Sequence, residues 1–326
     1  MTSAPPSGAP IKIKIGVGSS IADAPEYIAF DKGYFKQQGL DAELIPINNV
    51  NDTLPSLISG TVDFAGAAVF PSLFNAAAQG VPVKIIQYVS IGDAKTTQAG
   101  IIVRQDLIDS GRYKTPADLK GMVLGSGGAP GASLIDFTIE KIAAMGGIAS
   151  SDIHPIFIPF PQQPAAFANK AIDAANMVEP FITIVEQQKI ANMVIPASEY
   201  LRGYPSFVLM MSPVVAKQPQ VADRFMLAYL KAGLEAYNAL TAGKGGNADE
   251  LTAILAKNTA VKNPKLIAKM TSDITPPTTP LDPKPLGELE DSLIKHGSVK
   301  QKVDVSQIVD GSYLARAAQE LAHSGS

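Results

Sequence analysis

Near the start of the chain, the hydrophobic residues Ile11, Ile13, Ile15 and Val17 alternate with polar or small residues. This period of two residues predicts a β-strand. Pro25 follows, and a proline in the first turn favours a helix, which we expect to end by Gly33. Similar strand and helix segments alternate over most of the chain. The alternation predicts a parallel sheet with helices on both faces, an α/β fold.

The same patterns place the remaining elements. Further strands are predicted at residues 42–47, 62–66, 83–89, 101–103, 122–125, 156–160, 171–177, 193–195 and 207–211. Later helices are predicted at residues 219–240, 248–257, 264–270, 286–296 and 312–322. Residues 275–285 contain five prolines and are expected to form a loop or an extended segment.

One segment of the sequence recurs in outline. Residues 57–65 and residues 167–175 each resemble a helix end, a turn and then a strand that opens apolar–Asp–apolar. Two lobes of the same topology would produce this repeat. We expect residues 11–95 and 202–326 to form a discontinuous first lobe and residues 96–201 to form the second. Residues 1–10 are expected to be a flexible lead-in.

The amino-acid composition excludes several classes of function. The chain has 326 residues, of which 46% are hydrophobic and 17% charged, as in globular proteins. A net charge of −3 provides no basic field, so we expect no nucleic-acid partner. No apolar run reaches the ~18 residues of a membrane span. The first ten residues have no basic start and no apolar run, which fits a cytoplasmic start or an exported protein without its signal.

Cysteine and histidine bear on metal and nucleophile chemistry. The sequence has no cysteine, which excludes thiol nucleophiles, disulfides and cysteine metal sites. Its three histidines, His154, His296 and His323, are far apart and lack metal-ligand spacing. We therefore expect neither a metal nor a cofactor.

Several blocks resemble a known family. Residues 24–41, APEYIAFDKGYFKQQGLD, and residues 59–64, SGTVDF, are similar to the opening blocks of the nitrate/sulfonate/taurine/thiamine-precursor solute-binding proteins of ABC importers. Residues 115–121, 173–181 and 304–314 resemble its later blocks in the same order. Lys170 stands where this family usually has glycine, and we expect Asn169 to supply the positive φ of that turn.

The resemblance implies a type II periplasmic-binding-protein fold, with two Rossmann-like lobes joined by a two-segment hinge. It implies a non-enzymatic protein that holds a small-molecule ligand between its lobes and delivers it to a membrane-embedded ABC permease. We expect a monomer, in the periplasm or tethered at the outer face of the cytoplasmic membrane.

Ligands of open α/β sheets bind beyond the carboxyl ends of the strands. In the first lobe this rule selects Ser19, Ser20, Ala24, Asn48, Asn49, Ala67, Ala68 and Val69. In the second lobe it selects Ser126, Gly127, Gly128, Gly131, Ala132, Ser133, Phe160 and Glu179. Arg202 lies near the second crossover, where it could clamp a carboxylate or remain a solvated surface residue.

Two of these features suggest specific chemistry. The glycine-rich loop after residue 126 precedes a predicted helix, and its N–H groups could cradle an anion; the alternative is a loop without a ligand role. Glu179 could accept hydrogen bonds from a ligand or from backbone amides. We predict a small organic anion as ligand, a sulfonate or a carboxylate, including aromatic ones. The alternative is an enzyme on the same fold, for which Glu179 and Asp23 are the visible acid pair.

Overall fold

The computed structural model describes residues 8–18, 20–47, 52–91, 99–130, 134–259, 261–271 and 275–324. The chain divides into two compact units. The first contains Met1–Ser90, Pro205–Gly287 and Val303–Ser326, and the second contains Ile91–Tyr204 and Glu288–Lys302. The segment Glu288–Lys302 thus groups with the second unit, whereas the sequence analysis had placed it in the first lobe.

Among the described residues, each unit contains one five-stranded sheet. The strands are β1 (Ile11–Val17), β2 (Leu40–Pro46), β3 (Phe64–Ala68), β4 (Lys84–Ile91), β5 (Ala99–Arg104), β6 (Val123–Ser126), β7 (His154–Phe157), β8 (Ala174–Val178), β9 (Ala191–Pro196) and β10 (Pro205–Met211). Their order is β2-β1-β3-β10-β4 in the first sheet and β7-β6-β8-β5-β9 in the second.

Helices lie between most of these strands, and the last five helices follow β10. They are α1 (Ala24–Asp31), α2 (Tyr34–Gln37), α3 (Thr53–Ser59), α4 (Pro71–Ala78), α5 (Gln105–Asp109), α6 (Ile135–Gly146), α7 (Gln163–Ala168), α8 (Phe181–Gln187), α9 (Ala197–Tyr200), α10 (Pro219–Ala236), α11 (Ala248–Asn258), α12 (Pro264–Met270), α13 (Pro283–Lys295) and α14 (Ser312–Ser324). The proline-rich segment is therefore partly helical, because Pro283 suits the first turn of α13. No helix in the described ranges has the length and apolar character needed to cross a bilayer.

The prediction of purely parallel sheets is wrong. Strand β1 pairs in parallel with β2 and β3, but β10 runs antiparallel to β3, and β5 runs antiparallel to β8 and β9. The register shows the reason in the first sheet: Phe207 pairs with Ala68, and Met211 pairs with Phe64. The chain thus re-enters this sheet at the carboxyl end of β3 and runs back along it.

Each unit has its own hydrophobic core. In the first, helix α10 buries Phe225, whose ring stacks on Phe64 with 3.6 Å between ring centroids. In the second, Leu124 and Ile142 belong to a separate buried cluster. Alternation along β1 buries Ile13 and Ile15, as the sequence predicts.

The internal repeat has a structural counterpart in both units. Asp63 Oδ2 accepts a hydrogen bond from the Lys14 N–H at 2.8 Å, and Asp173 Oδ2 accepts one from the Val123 N–H at 3.1 Å. In both cases the aspartate's own N–H returns a bond to the carbonyl oxygen of that same partner residue. Corresponding aspartates therefore make the same pair of hydrogen bonds just before a strand in both units.

The turns before these aspartates also correspond. Gly60 has φ +73°, and the equivalent residue of the second unit, Lys170, has φ +60°. Asn169 has φ −91°, so the expectation that it would take the left-handed conformation is wrong. Lys170 adopts it instead, with its ammonium group 3.0 Å from Asp106 Oδ2.

Candidate functional site

The predicted ligand contacts divide into those the structure describes and those it does not. Six lie outside the described residues: Ser19, Asn48, Asn49, Gly131, Ala132 and Ser133. Apart from Arg202, the others lie at or just beyond strand ends of the two units.

In the first unit, the segment after β1 forms a short capped turn. Ser20 is exposed, and its hydroxyl oxygen accepts a hydrogen bond from the Ala22 N–H at 2.9 Å. Asp23 follows, and its Oδ2 accepts the Gly18 N–H at 3.1 Å. The hydroxyl hydrogen of Ser20 remains available as a donor, so this turn offers one side-chain donor at the sheet edge.

Most other candidates of this unit have buried side chains. Ala24, Ala67 and Val69 are at most 3% exposed, so a ligand can meet only their main-chain groups. Ala68 is half-buried and pairs with Phe207 across β3 and β10. The Val69 N–H is already bonded to the Ser206 carbonyl oxygen.

The same strand end contains an acidic pair that the sequence analysis identified only in part. Asp23 and Glu26 are each 1% exposed, and they lie three residues apart, on one face of the first helical turn. Asp23 Oδ1 and Glu26 Oε2 are buried and lack a hydrogen-bond partner among the described residues. Burial raises the pKa of Asp23 to about 7. Burial, and then the nearby Asp23 charge, raise the pKa of Glu26 well above its ordinary value.

Glu26 lies within the family-like block 24–41 and is not among the residues predicted from the strand ends. A signal was present: it is an acid within the mainly apolar stretch 24–30, three residues after another acid. That spacing places both carboxyl groups on one helical face, and the apolar neighbours of Glu26 are typical of a buried position.

In the second unit, the loop after β6 begins with a self-contained turn. Ser126 is 1% exposed, and its hydroxyl donates to the Gly128 carbonyl at 2.9 Å and accepts from the Gly128 N–H at 3.2 Å. The Gly128 amide is thereby engaged within the loop. An anion would have to be held by other groups of this segment.

Gly127 has a packing role. A Cβ atom at this position would lie 2.3 Å from Phe160 Cζ and 2.4 Å from its Cε1. Only glycine therefore lets the Phe160 ring lie directly on the loop backbone. The ring is half-buried, so it offers an aromatic surface beside the carboxyl end of β6.

Glu179 directly follows β8 and joins Pro180 through a cis peptide bond. Its Oε2 accepts the Thr183 N–H at 3.1 Å, and its Oε1 accepts the Thr183 hydroxyl at 2.8 Å. Both oxygens thus accept hydrogen bonds from Thr183 in the first turn of α8. Arg202 has an exposed side chain in the segment between α9 and β10.

Two further features limit the chemistry. Within the described ranges, no group of three or more His, Cys, Asp or Glu residues is arranged to hold a metal ion. A cavity of about 600 Å³ beside α1 and α11 includes Lys32 and Lys257 in its lining. These lysines pair with Glu250 at 3.1 Å and with Asp31 at 2.9 Å, so the cavity carries no excess charge for an anion.

Comparison with known proteins confirms the family resemblance. The family model described as NMT1/THI5 like matches residues 21–240. A Brucella abortus protein named as a binding protein is 26% identical over 208 residues, which is 61% of this chain and 58% of that protein. The match thus spans less than two thirds of this relative.

Solved structures show the same fold. The periplasmic aliphatic sulphonate binding protein SsuA from Escherichia coli superposes with a TM-score of 0.76 at 18% identity, covering 94% of this chain and 99% of that one. The desulfurization enzyme DSZB superposes with a TM-score of 0.64 at 14% identity, covering 95% and 99%. The fold is therefore that of periplasmic binding proteins, and it also occurs in an enzyme.

Proposed function

The chain belongs to the NMT1/THI5-like family, and from this membership we propose that it is the solute-binding component of an ABC importer. It captures a small organic anion, a sulfonate or a carboxylate that includes aromatic ones, and delivers it to a membrane permease. In this role it works outside the cytoplasmic membrane, in the periplasm or tethered at its outer face, as a monomer. Ligand binding closes the protein, and the permease recognises the closed form.

The observation that carries this proposal is the duplicated strand-end geometry within the matched region. Both units present loops at the carboxyl ends of parallel strands, the place where α/β sheets bind ligands. The first unit offers Ser20, and the second offers the Phe160 ring beside Gly127. An aromatic wall with a few polar groups is typical of small-molecule sites.

A second candidate is an enzyme that acts on a small molecule. The buried pair of Asp23 and Glu26 favours it, because an acid with a pKa near 7 suits general acid–base catalysis. The desulfurization enzyme with this fold shows that the architecture can support chemistry. The absence of cysteine excludes a thiol nucleophile in this chain.

A thermal-shift screen separates the two. Sulfonates, aliphatic and aromatic carboxylates, pyrimidines and inorganic anions are added at millimolar concentration, and the compound is recovered and analysed by mass spectrometry. A ligand at 100 times its Kd stabilises by about 2.7 kcal/mol, a shift of a few degrees. A shift with an organic anion recovered unchanged supports the binding protein. No shift with any sulfonate or carboxylate contradicts the proposed ligand class, and a consumed compound supports the enzyme.

A further inference from the structure

The first unit contains a buried hydrogen-bond acceptor to which the anionic group of the proposed ligand supplies no donor. Asp23 Oδ2 is bonded to the Gly18 N–H, whereas Asp23 Oδ1 is buried without a partner among the described residues. A buried carboxylate oxygen without a donor is costly, since burial removes its bonds to water. An atom of this kind requires a partner such as a water, an ion or a group of a ligand, and its place at the carboxyl end of a sheet favours a ligand.

The neighbouring acid determines what kind of group can complete it. Glu26 lies on the same helical face, and its Oε2 is likewise buried without a partner in the described structure. Two buried carboxyl groups this close repel a further anion and favour a positive charge or an N–H donor. The anionic part of a ligand is therefore excluded from this position.

The surroundings of Asp23 Oδ1 suggest how a ligand reaches it. A Cβ atom on Gly66 would lie 3.4 Å from Asp23 Oδ1 and 2.6 Å from Phe207 Cε1, so the oxygen and the ring flank the same side-chain-free position. Phe207 is half-buried, which leaves part of its ring facing outward. A ligand would therefore reach the oxygen only if this ring moved aside, which would leave an aromatic face beside the bound group.

We propose that Asp23, supported by Glu26 and covered by Phe207, is a ligand-binding subsite for a nitrogen that carries hydrogen, either a primary ammonium group or a ring N–H. This inference rests on the proposed function and deepens it: the ligand is an organic anion that also carries such a nitrogen. The nitrogen donates to Asp23 Oδ1, and the anionic end is held elsewhere.

The test uses matched pairs of probes that differ only in the amino group. These are 3-aminopropanesulfonate with propanesulfonate, and 4-(aminomethyl)benzoate with 4-methylbenzoate, titrated calorimetrically into the full chain. A charge-assisted hydrogen bond corresponds to about 10- to 100-fold in affinity. We expect that preference for the aminated member of at least one pair, and we expect Asp23→Asn to abolish it. Asp31→Asn removes one negative charge from the same helix and should retain the preference.

The pH profile of the unmodified protein provides a second readout that does not depend on a variant folding. The titratable groups that interact with Asp23 are Glu26, Tyr27 and Tyr229. An ammonium group binds the ionised form of Asp23, so affinity for the aminated probe should rise between about pH 5.5 and 8.5, and Asp23→Asn should flatten the curve.

Several outcomes would overturn the inference. Equal binding within each pair, binding of the amine-free members alone, or an affinity that falls as pH rises would each exclude an N–H donor at Asp23 while leaving the proposed function standing. The falling profile would instead indicate that protonated Asp23 donates to an anion. Absence of binding by any sulfonate or carboxylate in the panel would contradict both the inference and the proposed function.

Discussion

At the scale of single residues, the buried acids of the first unit set an unusual pH dependence. Asp23 has an ordinary pKa of 3.8 and a pKa of about 7 in the folded chain. Between these values the folded state holds a proton that the unfolded state has released. This contribution to the free energy of unfolding is therefore full below about pH 4, and it is lost as pH rises toward 7.

Because the pKa of Asp23 is raised in the folded chain, removal of its carboxyl group should stabilise the protein at high pH. Asp23→Asn keeps the shape of the side chain but removes the titration, so the variant should exceed the wild type in free energy of unfolding at pH 8 by roughly 4 kcal/mol, with little difference near pH 4. Urea unfolding followed by circular dichroism at both pH values measures this. Asp31→Asn loses its 2.9 Å pair with Lys257 and should change in the opposite direction at pH 8. A constant difference at both pH values would contradict the assignment.

Gly127 gives a second prediction at this scale. Gly127→Ala places a methyl group about where the Phe160 ring lies, so the ring must move, and we expect a loss of roughly 1–3 kcal/mol. Phe160→Leu should remove most of that cost when combined with Gly127→Ala. A double-mutant cycle by chemical unfolding measures the coupling. Additive effects would show that the ring and the loop are independent.

At the scale of elements, the helix–turn–strand repeat shows one backbone geometry reached with two different residues. Gly60 and Lys170 both adopt positive φ before the aspartate that fixes the strand. Glycine adopts this conformation without a steric penalty, whereas the Cβ atom of lysine makes the same conformation unfavourable. Lys170 adopts this unfavourable conformation, and its ammonium group forms an exposed ion pair with Asp106.

This difference predicts opposite effects of reciprocal substitutions. Gly60→Lys should destabilise the protein by about 1 kcal/mol, because the new side chain is forced into the left-handed region. Lys170→Gly should be neutral or stabilising by a few tenths of a kcal/mol, since it relieves strain but loses an exposed ion pair. Chemical unfolding of both variants tests this. Equal losses in both would show that the turn geometry is not the determinant.

At the scale of the whole molecule, the C-terminal helix completes the core of the first unit. Tyr313, Leu314 and Ala317 of α14 are at most 6% exposed within the cluster that contains β1 and α10. The second unit has separate buried clusters. Residues distant in sequence therefore stabilise one unit together.

A cavity in the core of one unit should lower hydrogen-exchange protection in that unit and not in the other. Leu314→Ala should cost about 2–4 kcal/mol and lower hydrogen-exchange protection in peptides from residues 11–90, with residues 99–204 unaffected. Exchange measured by mass spectrometry resolves the two sets. Ile142→Ala, in the second unit's core, is the matched control and should show the reverse pattern. Uniform loss of protection would indicate a single cooperative unit.

The family and most elements were predictable from the sequence, because hydrophobic periodicity and turn residues act locally. The predicted bounds of strand β1 and helix α12 agree with the observed bounds, Ile11–Val17 and Pro264–Met270. The repeat was also visible, since the apolar–Asp–apolar pattern is contiguous in sequence. These features depend on neighbours a few residues away, which a single sequence shows directly.

Tertiary structure alone decided the strand directions and the state of the site residues. The antiparallel course of β10 depends on where the chain re-enters its sheet. The packing of Phe160 on Gly127 joins residues that are distant in sequence. Among the described residues, Asp23 Oδ1 and Glu26 Oε2 lack hydrogen-bond partners because these two side chains are buried, and burial is a property of the assembled core. The sequence by itself determined the family and the local elements. The hydrogen-bond partners and the solvent exposure of the site residues arose only from long-range packing.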